Sequence, residues 1–357
     1  MDIAACAWLL LLVCLGGCLC FILWAALCKA FYSINGEFGN ELAVRQFGQH
    51  AFHVVLGDYS TKLVYEEIFL KKVYFNHQIS LDQHGPLVLD VGGNIGFFSA
   101  FVAEHYKGSR IHVFEPLPLL VKAISLNLAT HGCVVFHAHD GKTLLNDAPL
   151  ETRVVVHQTA LGDEETELSL TYQPRMLAGS SLVPEEFLPK GVDKLDFVRA
   201  MYLDSIKLGA LPTFPARFMC ELLGIPLLRI PAFFAFLPWM MFYQIQQRMS
   251  GCKQMTMKTP VRKLSNMLKE QGLHGQTIDL LKVDVEGAEL KVLLGIDDAT
   301  WCCINQMVVE VHDGEDGRVD KIIELCKTKG FTKVVKAQEG DLELPKLCKI
   351  FLVFATK

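Results

Sequence analysis

Three groups of residues in this chain have the types and spacing that chemistry needs. The first is Asp90-Val91-Gly92-Gly93-Asn94-Ile95-Gly96, an acid followed by a glycine-rich turn. Glycines let a backbone approach a ligand closely and adopt dihedrals closed to other residues. The spacing Gly92-Gly93-x-x-Gly96 departs from the G-x-G-x-x-G of dinucleotide sites. An acid two residues before the first glycine suits a cationic, amino-acid-bearing ligand better than a pyrophosphate. The second group is Val113-Phe114-Glu115-Pro116, nineteen residues after Gly96. A carboxylate there can accept both hydroxyls of a ribose, although an acid beside Pro116 also suits a helix start whatever its function. The third group is Asp284 and Glu286 with Glu310 and His312, from two segments that each close an apolar run. His312 has the ordinary pKa of a general base, and Asp284 can orient it or hold a substrate. The same side chains can alternatively bind a divalent cation that acidifies a hydroxyl. Glu286 and Glu289 open a helix, where the dipole favours acids in any case.

These residues need a scaffold that brings strand ends together. Apolar runs predict strands at Leu87–Val91, Arg110–Phe114, Arg153–His157, Ile278–Val283, Gln306–Val311, Thr332–Lys336 and Lys349–Ala355. Helical patterns at Phe97–Tyr106, Leu117–His131, Glu286–Leu294 and Val319–Lys329 fall between them. Strands alternating with helices imply an α/β fold with a parallel sheet covered on both faces. The last two strands are joined by Gly340-Asp341 and Pro345 without a helix, so that pair is expected to be antiparallel. Ligands of such sheets sit at the carboxyl ends of the strands, where all three groups fall.

In chain order, Leu89–Ser99, Phe114-Glu115-Pro116-Leu117-Pro118, Ala160-Leu161-Gly162-Asp163, Ser180-Ser181-Leu182 and Leu281–Glu289 resemble the FkbM-type methyltransferase family. The resemblance covers about residues 86–335, apart from one interruption. It implies a class I methyltransferase (Rossmann-like) fold with a seven-stranded, mostly parallel sheet, S-adenosylmethionine as cofactor, and methylation of a hydroxyl. Asp90, Gly92, Gly93, Asn94, Gly96 and Glu115 are then the cofactor residues. Gln158, at the end of the third strand, is expected near the adenine. Asp284, Glu286 and His312 are the expected catalytic residues. A binding protein that keeps the fold without turnover is the alternative function. A nicotinamide-dependent oxidoreductase is disfavoured by the glycine spacing.

Hydrophobic residues make up 51% of the 357 positions, and the excess sits in two segments. Ile3–Leu27 carries no charge, and roughly 20 apolar residues suffice to cross a bilayer. Residues 1–30 are therefore expected to form an N-terminal transmembrane anchor. Lys29 and Arg45 behind it weakly favour a cytosolic catalytic part. Residues 31–85 read as a lead-in packed on the main domain, with a short helix over Tyr65–Tyr74. The domain itself occupies 86–357, interrupted by an insertion at 183–256. Within the insertion, Ile230–Tyr243 is apolar but holds Pro231 and Pro238, which suits an in-plane membrane contact or a lid over the site. The expected acceptor is accordingly a lipid or an amphipathic small molecule. Of the 12 cysteines, seven lie beyond the anchor with no regular spacing, which points to reduced thiols. A net charge of −5 with both signs scattered gives no basic footprint for nucleic acid.

Overall fold

The computed structural model describes residues 41–138, 151–172 and 255–357, apart from 57, 59, 83–84, 314–315, 339–345 and 348, together with 199, 200 and 203. The expected anchor and nearly all of the 183–256 insertion lie outside the described residues. Among the described residues no helix is long and apolar enough to cross a membrane.

An eight-stranded sheet organises the domain. Its strands are β3 (Leu87–Val91), β4 (Arg110–Phe114), β5 (Val134–His137), β6 (Arg153–His157), β10 (Leu280–Val283), β11 (Gln306–His312), β12 (Lys333–Ala337) and β13 (Ile350–Thr356), in the spatial order β12-β13-β11-β10-β3-β4-β6-β5. The only reversed strand of this sheet is β13, antiparallel to both β11 and β12. All seven predicted strands are present. The correction is β5, an eighth strand that runs parallel to β6 at the sheet edge. Its four residues are all half-buried, so no clear apolar alternation announces it.

Helices cover both faces because alternate residues of each strand point opposite ways. Val88, Ile111, Val113 and Val154 pack with α2 (Phe97–His105) and α3 (Pro118–Thr130). Leu87, Leu89, Val283 and Val309 pack with α4 (Leu264–Glu270), α5 (Glu289–Leu294), α6 (Asp298–Cys303) and α7 (Arg318–Thr328). A second sheet, absent from the sequence reading, joins β7 (Ala160–Leu161), β8 (Thr166–Tyr172) and β9 (Met255–Arg262) in the order β7-β9-β8. Residues 173–254 leave from the end of β8 and return at the start of β9, where Tyr172 and Met255 are paired.

The lead-in segment begins with the hairpin of β1 (Leu42–Phe47) and β2 (His50–Val55). Asn127 of α3 clamps it: its carbonyl accepts the His53 N–H at 2.6 Å, and its amide donates to the Ile95 carbonyl at 2.7 Å. The same side chain thus holds both the hairpin and the glycine turn. The predicted helix over Tyr65–Tyr74 is instead α1 (Thr61–Tyr65), running into a π-helical turn at Glu66–Leu70. Lys72, at φ +53°, then reverses the chain into a 3-10 turn at Val73–Phe75. That reversal buries Val73 and Tyr74 in the domain core.

Candidate active site

The glycine turn follows β3 with Gly92 at φ +80° and Gly96 at φ +88°. A Cβ on Gly92 would lie 1.7 Å from the Asp284 carbonyl oxygen, and one on Gly93 would lie 2.2 Å from Val113 Cγ1. At Gly96 a Cβ would press on Ile124 of α3 at 3.4 Å. The glycines expected to admit a ligand are first required by neighbouring strands and helices. Gly92 and Asn94 nonetheless line a cleft with Phe114, Glu115, Thr159 and Leu161 on one side and Asp284, Val285 and Glu286 on the other. About 690 Å³ of non-atom space lies in the cleft, open solvent included.

Asp90 is not at the cleft. It is fully buried, accepts the Ser99 hydroxyl at 2.7 Å, and lies 3.2 Å from Lys282 Nζ. That position corrects the expectation of a direct cofactor contact: an acid pointing back from a strand end meets the helix behind it and the adjacent strand. Glu115 does line the cleft, and it also builds it. One carboxylate oxygen accepts the Asn94 N–H at 2.9 Å and the other accepts the Leu117 N–H at 3.0 Å. Burial pushes its pKa up to about 7, against the opposing pull of those two N–H groups and Lys282. Each oxygen keeps a second lone pair for a ligand hydroxyl. Gln158 is exposed and is not part of the cleft wall; its neighbours Thr159 and Ala160 are. Alternation along the chain end turns Gln158 outward, which corrects the adenine-side assignment.

On the opposite side, the parallel register Val283↔Val309 sets Asp284 beside Glu310. The chain after β10 turns sharply, with Glu286 at φ +54° and Gly287 at φ +105°. A non-glycine residue there carries strain of order 1 kcal/mol. Buried partners hold the turn: Glu289 accepts the Gly287 N–H at 2.6 Å, and Arg318 donates to the Gly287 carbonyl at 2.7 Å and the His312 carbonyl at 3.1 Å. The turn delivers Glu286 into the cleft, 3.4 Å from His312 Nδ1, while His312 Nε2 lies 3.7 Å from Glu310.

His312 is therefore wedged between carboxylates. Burial alone lowers its pKa, but Glu286, Glu310 and Glu289 outweigh it and raise it to about 10. The surrounding carboxylates thus favour the protonated imidazole, which counts against the general-base role expected of His312. Burial raises the pKa of Glu286 well above the carboxylate range, with His312 opposing. The sequence reading grouped Asp284, Glu286, Glu310 and His312, and they do converge. Among the described residues no group of three or more His, Cys, Asp or Glu is arranged to hold a metal ion.

Two residues of the site carry no mark in the sequence. Tyr74, from the lead-in segment, donates its hydroxyl to Asp284 at 3.1 Å and Glu310 at 3.3 Å. Burial, then the two carboxylates, pushes its pKa well above the phenol range. Lys282 is buried on β10 directly opposite Asp90. The quoted block Leu281–Glu289 contains it, but only the sheet register shows its partner.

An FkbM methyltransferase domain matches residues 243–333. The 31-O-demethyl-FK506 methyltransferase FkbM of Streptomyces tacrolimicus is 28% identical over 289 residues, 81% of this chain and 88% of its own. Methyltransferase sdnD of Sordaria araneosa is 29% identical over 278 residues, 76% of this chain and 82% of its own. The crystal structure of a methyltransferase FkbM from Methylobacillus flagellatus KT aligns over 81% of this chain and 47% of its own, at 12% identity and a TM-score of 0.40. The chain thus carries a match to the FkbM methyltransferase domain and is similar over most of its length to methyltransferases of that type.

Proposed function

We propose that the protein transfers a methyl group from S-adenosylmethionine to a hydroxyl of an amphipathic or membrane-borne small molecule, with Asp284 taking the proton. The family implies S-adenosylmethionine as the methyl donor. The observation that carries the finer reading is that one cleft joins the glycine turn and Glu115 to Asp284 and Glu286. The donor set fits the cofactor. Glu115 offers lone pairs to ribose hydroxyls, and Phe114, Leu117, Leu120 and Leu161 give an adenine ring apolar walls. When bound, the cofactor supplies an electrophilic methyl group on a positively charged sulfur.

The chain's residues account for the remainder. An acceptor hydroxyl placed against Asp284 would give its proton to that carboxylate, which readies the oxygen for the methyl group that the cofactor would supply. Tyr74 aims Asp284 by donating to its Oδ2. Such transfer needs alignment and little further catalysis. His312, drawn towards its protonated form by the carboxylates around it, is not the group assigned the proton. Oxygen as acceptor is favoured by the name of one relative, which specifies 31-O-demethyl-FK506. The membrane-borne acceptor rests on the charge-free run Ile3–Leu27, which would also anchor the protein with its domain towards the cytosol.

The test uses the full chain in detergent with methyl-labelled S-adenosylmethionine, offered a lipid extract or an extract of soluble metabolites, with and without a chelator. Label is expected in an alkali-stable ether of a lipid-phase product, unaffected by the chelator. Label confined to water-soluble products would overturn the acceptor class. No incorporation and no cofactor binding would overturn the methyltransferase reading.

A further inference from the structure

We propose that Lys282 is a positioning residue that makes capture of the cofactor and placement of Asp284 a single event. The inference rests on the methyl-transfer reading above. The Lys282 ammonium donates to the Gly92 carbonyl at 2.7 Å and lies 3.2 Å from Asp90 Oδ1 and 3.5 Å from Asp284 Oδ2. One ammonium N–H is thus given to Gly92, and the charge is shared as ion pairs between Asp90 and Asp284. Of these three residues, one is in the cofactor turn, one is beneath it, and one is on the acceptor side of the cleft. At this juncture the two strand ends are in backbone contact, since Asp284 donates its N–H to Val91 O at 3.0 Å and its carbonyl fills the space a Gly92 side chain would take.

Water is kept out of this junction. The ammonium lies 5.6 Å from the Tyr74 ring centre and 5.9 Å from that of Phe98, and those two rings meet edge to face. In so dry a setting a charge is costly unless it is paired. Asp90, fully buried, supplies that counter-charge. The same ammonium also reaches Gly92 and Asp284, and so links the two sides of the cleft. A lysine serving the scaffold alone would need only Asp90.

That difference is testable with the full chain in detergent. Asp90→Asn together with Lys282→Met removes both charges and leaves neither orphaned. Thermal melting is expected to remain cooperative, while S-adenosylhomocysteine, measured by calorimetry, binds at least about tenfold more weakly because the Gly92 carbonyl is no longer held. At saturating S-adenosylmethionine, label transfer to the lipid extract is expected to fall as well, so the loss appears in kcat and not in cofactor KM alone. Asp90→Asn by itself keeps Lys282 beside Gly92 and Asp284 but strips its buried counter-charge, so it is expected to lower the melting temperature while weakening binding of the cofactor product less than the double variant does. Wild-type binding and turnover in the double variant would overturn the proposal, as would equal losses in Asp90→Asn. Should the double variant not fold, Lys282→Arg keeps the charge but presents a planar fork that cannot meet all three acceptors. Undiminished binding and turnover in that variant would overturn the proposal too. A wild-type protein that binds no S-adenosylmethionine would instead bring down the methyltransferase reading.

Discussion

The two sides of the cleft use their acids differently. On the side of β3 and β4, Asp90 is sealed against Ser99 and Lys282, and both Glu115 oxygens accept backbone N–H groups. On the side of β10 and β11, Asp284, Glu310 and Glu286 meet a phenol and an imidazole and keep partial exposure. The first arrangement builds a shape: its acids fix a turn that a ligand then meets mostly as backbone. The second keeps side-chain chemistry available. A motif residue can thus be indispensable without touching a ligand, and the two halves should fail in different ways.

The sharpest break is Gly92→Ala. Its methyl would collide with the Asp284 carbonyl at a φ of +80°, so a loss of about 3 kcal/mol or more in denaturant unfolding is expected, together with loss of cofactor binding. Next comes Asp284→Asn, which should leave cofactor affinity near wild type in calorimetry. Label transfer should nonetheless fall by about 10²–10⁴, the usual size of a proton-transfer contribution. Equal loss of affinity and rate would erase the distinction between the two sides.

Smaller effects sharpen it by pH. Glu115 has a folded pKa of about 7 against an ordinary 4.5. Its stabilising contribution is therefore complete below about pH 4.5 and lost as pH rises towards 7. In the folded state its carboxylate forms around pH 7, so cofactor affinity should rise from pH 6 to 8 and stay flat in Glu115→Gln. His312, raised to about 10, contributes stability that is complete below about pH 6.5 and lost as pH climbs through 10. The melting-temperature gap between wild type and His312→Gln should accordingly close between pH 7 and 10. The smallest expected effect is at Gln158. This exposed side chain lies off the cleft, and Gln158→Ala should leave cofactor affinity unchanged in calorimetry.

What the sequence disclosed follows from burial. The runs Leu87–Val91, Arg110–Phe114 and Arg153–His157 match their strands end to end, because strands covered on both faces read as continuous apolar segments. β9 was illegible because it contains Pro260, a residue that argues against an interior strand. In the fold β7 pairs with β9 only at Val261 and Arg262, so that side asks nothing of Pro260, while the Pro260 carbonyl accepts the Thr159 hydroxyl at 3.0 Å. The convergence of Asp284, Glu286, Glu310 and His312 was readable, since strand ends in a parallel sheet gather at one edge. The state of His312 was not, because it depends on carboxylates that reach it only through the turn at Glu286–Gly287. Tyr74 and Lys282 were hidden for a related reason: their partners are distant in sequence and set by docking and register.

The pairing of Tyr172 with Met255 has an evolutionary consequence. Partners across an antiparallel ladder lie only about 5 Å apart, so the stretch 173–254 begins and ends beside a single rung. A segment joined in that way can lengthen, shrink or be exchanged while the strands on either side keep their register. A tight turn grafted between Tyr172 and Met255 should therefore leave the β8–β9 ladder in its present register.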